Sequence, residues 1–308
     1  MFFQRVSARQ LVQALAAVLL LVTVIAPSAG AQSKTPVWTS FTGGGQLQGP
    51  EAIRIDFSNG NMWIADDSDR IYVLSPTGAV LQSWGGTGSG QGQFDSPTDL
   101  TSDGQGNVLI ADSGNSRIVR MSLTGQFLGQ IGGPSTFKTP IGVARDPSGN
   151  IVVLDQDADS VVVLNQSGSV LRSFGGKGSA SGQLSKPEAV DTDSQGNIYV
   201  SDTGNNRIVK FSNDGTVLAT FGGEGSAPGQ FETPTGVTVD TDGSIVVMDS
   251  DNNRVQVLTP AGQPNGMFGG AGSGPGQFNN PTDIVADNQG NIYVADNGNS
   301  RIQKLTLQ

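Results

Sequence analysis

Ile110-Ala111-Asp112-Ser113-Gly114-Asn115-Ser116-Arg117-Ile118 is an apolar run that ends in aspartate, turns through small and amide residues, and resumes after an arginine. Near-copies stand at Val200-Ser201-Asp202-Thr203-Gly204-Asn205-Asn206-Arg207-Ile208 and Val294-Ala295-Asp296-Asn297-Gly298-Asn299-Ser300-Arg301-Ile302. Outward from these, a proline opens each unit, at Pro50, Pro97, Pro140, Pro187, Pro234 and Pro281, with spacings of 47, 43, 47, 47 and 47 residues. A repeat of this period, built from short alternating segments such as Asn197-Ile198-Tyr199-Val200, has the size of a four-stranded propeller blade. Apolar positions at the 3.6-residue spacing of helical repeats do not occur.

The spacing therefore predicts an all-β chain, a six-bladed β-propeller of four-stranded antiparallel blades. Each unit runs through Pro-x-x-aliphatic (Ile53, Leu100, Val143, Val190, Val237, Ile284), a Gly-Asn type turn, a strand ending in Asp, a third strand after the Arg, and a fourth ending in Gly-Gly. The last unit stops one strand short, at Lys304-Leu305-Thr306-Leu307-Gln308. Val37-Trp38-Thr39-Ser40-Phe41-Thr42-Gly43-Gly44 matches the missing fourth strand, so an N-terminal strand is expected to complete the sixth blade and remove the open edges. Three residues before each proline stands Leu47, Phe94, Phe137, Leu184, Phe231 or Phe278, a hydrophobe expected to plug the gap between neighbouring blades.

Residues 1–31 are set apart as a secretory signal peptide. Arg5 and Arg9 precede an apolar stretch from Leu11 to Ala26, followed by the small-residue site Ala29-Gly30-Ala31. The apolar run is shorter than a membrane-spanning helix prefers, so cleavage before Gln32 is expected, with no membrane span afterwards. The expected destination is secreted or periplasmic, in the cell envelope. Residues 32–308 divide into six units of about 46 residues, leaving nothing for a second domain. With no cysteine there is neither a disulfide nor a lipid-bearing N-terminal cysteine. The 44 glycines sit at regular turn positions and report tight turns rather than disorder. The formal charge of −10 grows more negative once Arg5 and Arg9 leave, which disfavours nucleic acid and suits cations, basic peptides or neutral glycans, although solubility alone is the plainer reading of it.

Five arginines follow a strand-ending aspartate by four or five residues: Asp66 with Arg70, Asp112 with Arg117, Asp202 with Arg207, Asp249 with Arg254 and Asp296 with Arg301. Guanidinium groups can grip carboxylates or phosphates, but a group needed once per blade is read as structural: the Asp caps the turn and the Arg braces it.

Period, opening proline and Asp-to-Arg turn together resemble NHL-repeat proteins, a family of β-propellers, over essentially all of residues 32–308. The family's loops into the first strand, and between the second and third, emerge on one face around the central channel. That implies a cluster of Glu51, Asp99, Glu188 and Asp283 near the mouth. Blades 3 and 5 have the uncharged Ile141-Gly142 and Thr235-Gly236 there, so the carboxylates are not demanded by the repeat. Four converging carboxylates would favour calcium, but strand alternation can aim Glu and Asp in different directions, and solvated or locally hydrogen-bonded carboxylates are the plainer reading.

Blade 3 reads Asp155-Gln156-Asp157-Ala158-Asp159-Ser160, with serine in place of the bracing arginine. Three alternate carboxylates resemble the start of a calcium loop, although the glycine and late glutamate of an EF-hand are missing; a degenerate turn is the plainer reading. Linkers also vary: 13 residues separate the hydrophobe before Gly-Gly from the next proline into blades 2, 4, 5 and 6, but nine separate Phe41 from Pro50 and Ile131 from Pro140. Longer linkers are expected to stand above the rim, leaving lower walls at blades 1 and 3, read either as a groove for a peptide or glycan strand or as tolerated loop variation.

Without histidine there is no imidazole base, no Ser-His-Asp arrangement and no histidine-ligated zinc. The amidating and streptogramin lyases built on similar propellers rely on histidine, so their mechanisms are not expected. The reading that remains is an exported, monomeric, non-catalytic scaffold that recognises a protein, peptide or glycan through its rim and channel mouth. The alternative is a calcium-dependent hydrolase or lyase of the lactonase or gluconolactonase kind using the mouth carboxylates.

Overall fold

The computed structural model describes residues 35–307; the expected signal peptide lies outside them. Six four-stranded antiparallel sheets form six blades, and five of them keep their strands in chain order from the channel outward. Blade 1 runs Pro50–Ile55, Met62–Asp66, Arg70–Leu74 and Val80–Gly85. The sixth takes Pro281–Ala286, Ile292–Asp296 and Arg301–Leu307, and its outermost strand is the N-terminal Pro36–Phe41, in register from Pro36 opposite Leu307 to Phe41 opposite Ile302. The expected ring closure is thus present, and Arg301–Leu307 is paired on both sides.

Why these segments become strands is visible in their burial. Second strands such as Ile151–Asp155 are buried at every residue, being covered on both faces by neighbouring blades, and they are rich in the β-branched residues that tolerate this. Outermost strands such as Val217–Gly222 alternate between half-buried and exposed. Six apolar clusters fill the six gaps between blades, each containing one plug residue. Phe94, fully buried, sits among Ala65 and Ile71 of blade 1 and Leu100 and Ile110 of blade 2. Phe231 joins Tyr199 and Ile208 of blade 4 to Val237 and Val247 of blade 5. The first glycine of Gly-Gly lets the plug close in: Gly222 has φ +92°, and a Cβ there would collide with the Phe231 ring.

Four of the aspartate–arginine pairs meet as braces. Arg Nε lies 2.7 Å from Asp112, 2.6 Å from Asp202, 2.7 Å from Asp249 and 2.7 Å from Asp296. The rest of each guanidinium holds the incoming linker: Arg117 donates to the carbonyls of Ser89, Gly90 and Gln93, and Arg301 to those of Ser273, Gly274 and Gln277. Each such linker is a tight loop, closed in blade 2 by Gly88 N to Phe94 O at 2.8 Å and Phe94 N to Gly86 O at 3.1 Å.

Blade 1 departs from the expected brace. Its turn from Asp66 to Arg70 is one residue shorter, Arg70 is exposed, and among the described residues it makes no ion pair with Asp66. Asp66 accepts instead from the amides of Gln48 and Ser68. Blades 1 and 3 are the two with short linkers, so the exposed Arg70 and Ser160 have one cause: there is no long linker to hold.

Candidate functional site: the two mouths of the channel

In five blades the innermost strand begins with an irregular step after its proline, for example between Pro97 and Asp99 or Pro281 and Asp283. Such a bulge re-aims two consecutive residues, and the first and second residues after the proline both line the upper mouth. Glu51, Asp99, Glu188 and Asp283 all border one cavity of about 80 Å³, together with Thr98, Ile141, Thr235 and Thr282. The four carboxylates are therefore brought together, despite the alternation that argued against it.

They do not form one donor set. Arg54, on the innermost strand of blade 1, reaches Asp99 Oδ1 through Nη2 and Asp283 Oδ2 through Nη1, each at 3.2 Å. The remaining capacity is taken by backbone amides: Asp99 accepts from Leu100 at 2.7 Å and Val143 at 2.8 Å, and Asp283 from Ile53 at 3.0 Å. Each aspartate so ties its own blade to the next. Burial pushes both carboxyls above their ordinary range, with Arg54 pulling the other way. Burial also opposes the charge of Arg54, but Asp99 and Asp283 outweigh it and hold its pKa above the ordinary value.

The glutamates sit apart from this pair. Glu51 accepts from Asn297 Nδ2 at 2.8 Å, across the junction of blades 6 and 1. Burial, a hydrogen bond with Asp67 and the charges of Asp67, Glu188 and Asp283 push it to about 8. Glu188 is pushed to about 7 by burial, with Asp251 adding and Lys186 opposing. Both glutamates are thus held well above the ordinary carboxylate range. Calcium asks for six to eight oxygens at about 2.4 Å. With Asp99 and Asp283 committed to Arg54 and to amides, these residues do not fit it, and among the described residues no group of three or more acidic side chains is arranged for a metal. Asp155, Asp157 and Asp159 diverge likewise: Asp155 accepts from the amides of Lys138 and Thr139, Asp157 from the Thr139 hydroxyl, and Asp159 from the amide of Lys186.

Sequence reasoning missed Arg54, and it missed the opposite mouth. There each innermost strand ends in a turn headed by aspartate: Asp56, Asp103, Asp146, Asp193, Asp240 and Asp287. Two cavities of about 540 and 480 Å³ open there, far larger than the upper one. The six-fold recurrence of that aspartate was the available signal.

The NHL repeat matches residues 94–121, 184–211, 231–258 and 278–305. These are blades 2, 4, 5 and 6, the four in which arginine holds a long linker. Solved structures share the fold. Virginiamycin B lyase from Staphylococcus aureus aligns with TM-score 0.64 at 18% identity, over 89% of this chain and 100% of that one. An auxiliary nutrient binding protein from Bacteroides ovatus gives 0.67 at 15%, over 89% and 77%. A gluconolactonase from Xanthomonas campestris gives 0.63 at 19%, over 85% and 87%. A histidine-to-alanine form of the lyase is described as catalytically inactive, and the present chain has no histidine. No protein of curated function matches. Among the described residues no helix is long and apolar enough to cross a membrane. Repeat, blade count and closing strand agree: the chain is a six-bladed β-propeller of the NHL-repeat family.

Proposed function

We propose that the protein is an exported binding propeller without catalytic activity, which recognises a protein, peptide or glycan. The observation that carries this reading is the Arg54 bridge. It occupies the two deepest carboxylates of the upper mouth and leaves a cavity of about 80 Å³, too small for an organic substrate of ordinary pocket size. Similarity in fold to a nutrient binding protein supports the reading by analogy, and similarity to a gluconolactonase supplies the competing one. Export rests on the sequence of residues 1–31, and N-terminal sequencing of the mature protein is expected to begin at Gln32.

The decisive experiment pairs peptide- and glycan-array binding with an assay of glucono-1,5-lactone hydrolysis in millimolar calcium. Saturable binding with hydrolysis no faster than in buffer is the expected result. Calcium-dependent turnover that disappears in Glu188→Gln would overturn it in favour of a hydrolase.

A further inference from the structure

Five of the six aspartate-headed turns have the form Asp-x-x-Gly-Asn or Asp-x-x-Gly-Ser. Blade 1 alone reads Asp56-Phe57-Ser58-Asn59-Gly60-Asn61, one residue longer, with phenylalanine where the others carry Gly104, Pro147, Ser194, Thr241 or Asn288. Phe57 is 61% exposed, the most exposed of the large apolar residues among those described. Its loop is pinned: Asp56 Oδ1 accepts from the amide and hydroxyl of Ser58 at 2.9 and 2.6 Å, Asp56 Oδ2 from Asn59 Nδ2 at 2.8 Å, and Asn59 Oδ1 from the Asn61 amide at 2.8 Å. An aromatic ring is thereby presented to solvent on a preorganised turn.

Phe57 borders both large cavities, which also share Thr192, Val239 and Ala286. They are two lobes of one depression over the lower end of the channel. The 540 Å³ lobe has apolar walls that include Ile55, Trp63 and the partly exposed Leu123, with Asp191 beneath. The 480 Å³ lobe is walled by Asp193, Asp240, Asp242 and Asp287. Two positive groups nearby are already held, while Arg145, whose guanidinium lies against Gly104 in the wall of the 540 Å³ lobe, makes no ion pair among the described residues and offsets only part of the acidic charge. Arg54 lies between Asp99 and Asp283, and Lys210 Nζ is 3.4 Å from Asp193 and 4.8 Å above the Tyr199 ring. Negative charge is left in excess beside an exposed ring, within the 300–1,000 Å³ or so of a ligand pocket.

We infer that this lower mouth binds an extended peptide segment in which a lysine or arginine is flanked by apolar side chains. The basic side chain enters the acidic lobe, where focused negative potential favours it and the Phe57 face offers a cation–π contact. Its apolar neighbours cover Phe57 and Leu123. A neutral glycan would gain nothing from the charge, and a phosphate backbone would be repelled. The inference rests on the binding reading above and names its face and ligand class.

The test is a capped random heptapeptide library on beads, probed with the purified mature protein. Enrichment of Lys or Arg next to Leu, Phe or Ile is expected. Binding of the enriched peptide should weaken roughly ten-fold in Phe57→Ser and in Leu123→Gln, as for a pocket anchor, with the melting temperature of each variant unchanged. It should weaken again as salt is raised. No enrichment, enrichment of acidic or uncharged sequences, or equal affinity in both variants would overturn the site assignment. So would oligosaccharide binding that Phe57→Ser abolishes. Peptide recovered cleaved or modified by mass spectrometry would overturn the non-catalytic reading instead and leave the site standing.

Discussion

Arg207 Nε lies 2.6 Å from Asp202 Oδ2, while the same guanidinium donates to the carbonyls of Ser179, Ala180 and Gln183 in the linker that enters blade 4. Asp202 is fully buried and also accepts from the amide of Ser185 and from Asn205 Nδ2. One side chain thus fixes a turn, a linker and the junction between two blades.

Arg207→Ala should destabilise the propeller by about 3 kcal/mol, since removing one partner strands a buried carboxylate. Arg70→Ala should change stability by no more than about 0.5 kcal/mol, because that arginine is exposed in a blade with no long linker. Ser160→Arg should likewise gain nothing, as no long linker enters blade 3. Urea unfolding of the three variants checks the contrast; equal losses for Arg207→Ala and Arg70→Ala would contradict the linker account.

Closure of the ring predicts a different failure. Trp38 packs edge-on against Phe278 at 5.5 Å, and Phe41 is buried with Tyr72, Leu74 and Ile302. Phe41→Ala should cost about 3–4 kcal/mol by emptying that site. Deleting residues 36–41 uncovers the edge of Arg301–Leu307. That variant should form oligomers or aggregates, visible by light scattering, whereas Phe41→Ala should stay as dispersed as the parent.

The fold was legible because its signals recur: six prolines, six plugs, and a spare strand at the N-terminus to match the one the last unit lacks. Even the uneven arginines could be read once linker length was set beside them. Arg54 was not legible, because its partners lie 45 and 229 residues away and only blade 1 places a cation at that point of the innermost strand. Position in a repeat says which residues share a level of the channel, but whether a carboxylate there meets a metal, a proton or a guanidinium depends on neighbours contributed by other blades. Phe57 was legible as a one-residue insertion in the turn at the far end of the strand from its proline.

The glutamates of the upper mouth give stability a pH dependence of definite sign. Glu51 rises from an ordinary 4.5 to about 8 and Glu188 from 4.5 to about 7, so between those limits the folded state holds more protons than the unfolded chain. Stability then falls as pH rises from about 4.5 towards 8. Asp103, Asp146 and Asp193 are lowered by turn hydrogen bonds that outweigh burial, so their contribution is lost only below their ordinary 3.8. The melting temperature should peak near pH 4–5. Glu188→Gln should flatten its decline above that peak, recovering roughly 1–2 kcal/mol at pH 8 after allowance for screening. A stability maximum at pH 8 would contradict the protonated mouth.

Arg54→Met separates the ionic role of the bridge from its bulk. At pH 8 the variant leaves Asp99 and Asp283 buried without their counter-ion, and the loss should reach about 3 kcal/mol or more. Arg54 lowers both carboxyl pKa values against burial, so its removal lets them rise further. The folded variant takes up protons more readily than the parent, and the penalty is confined to pH values above the ordinary carboxylate range. On acidification towards pH 4 the aspartates become neutral, methionine occupies the channel without an unpaired charge beside it, and the gap to the parent should shrink. Denaturant unfolding at pH 4.5, 6 and 8 reads this directly. A gap that stayed constant with pH would mean that Arg54 acts through packing alone, and that the two aspartates are held by the amides of Leu100, Val143 and Ile53 without its charge.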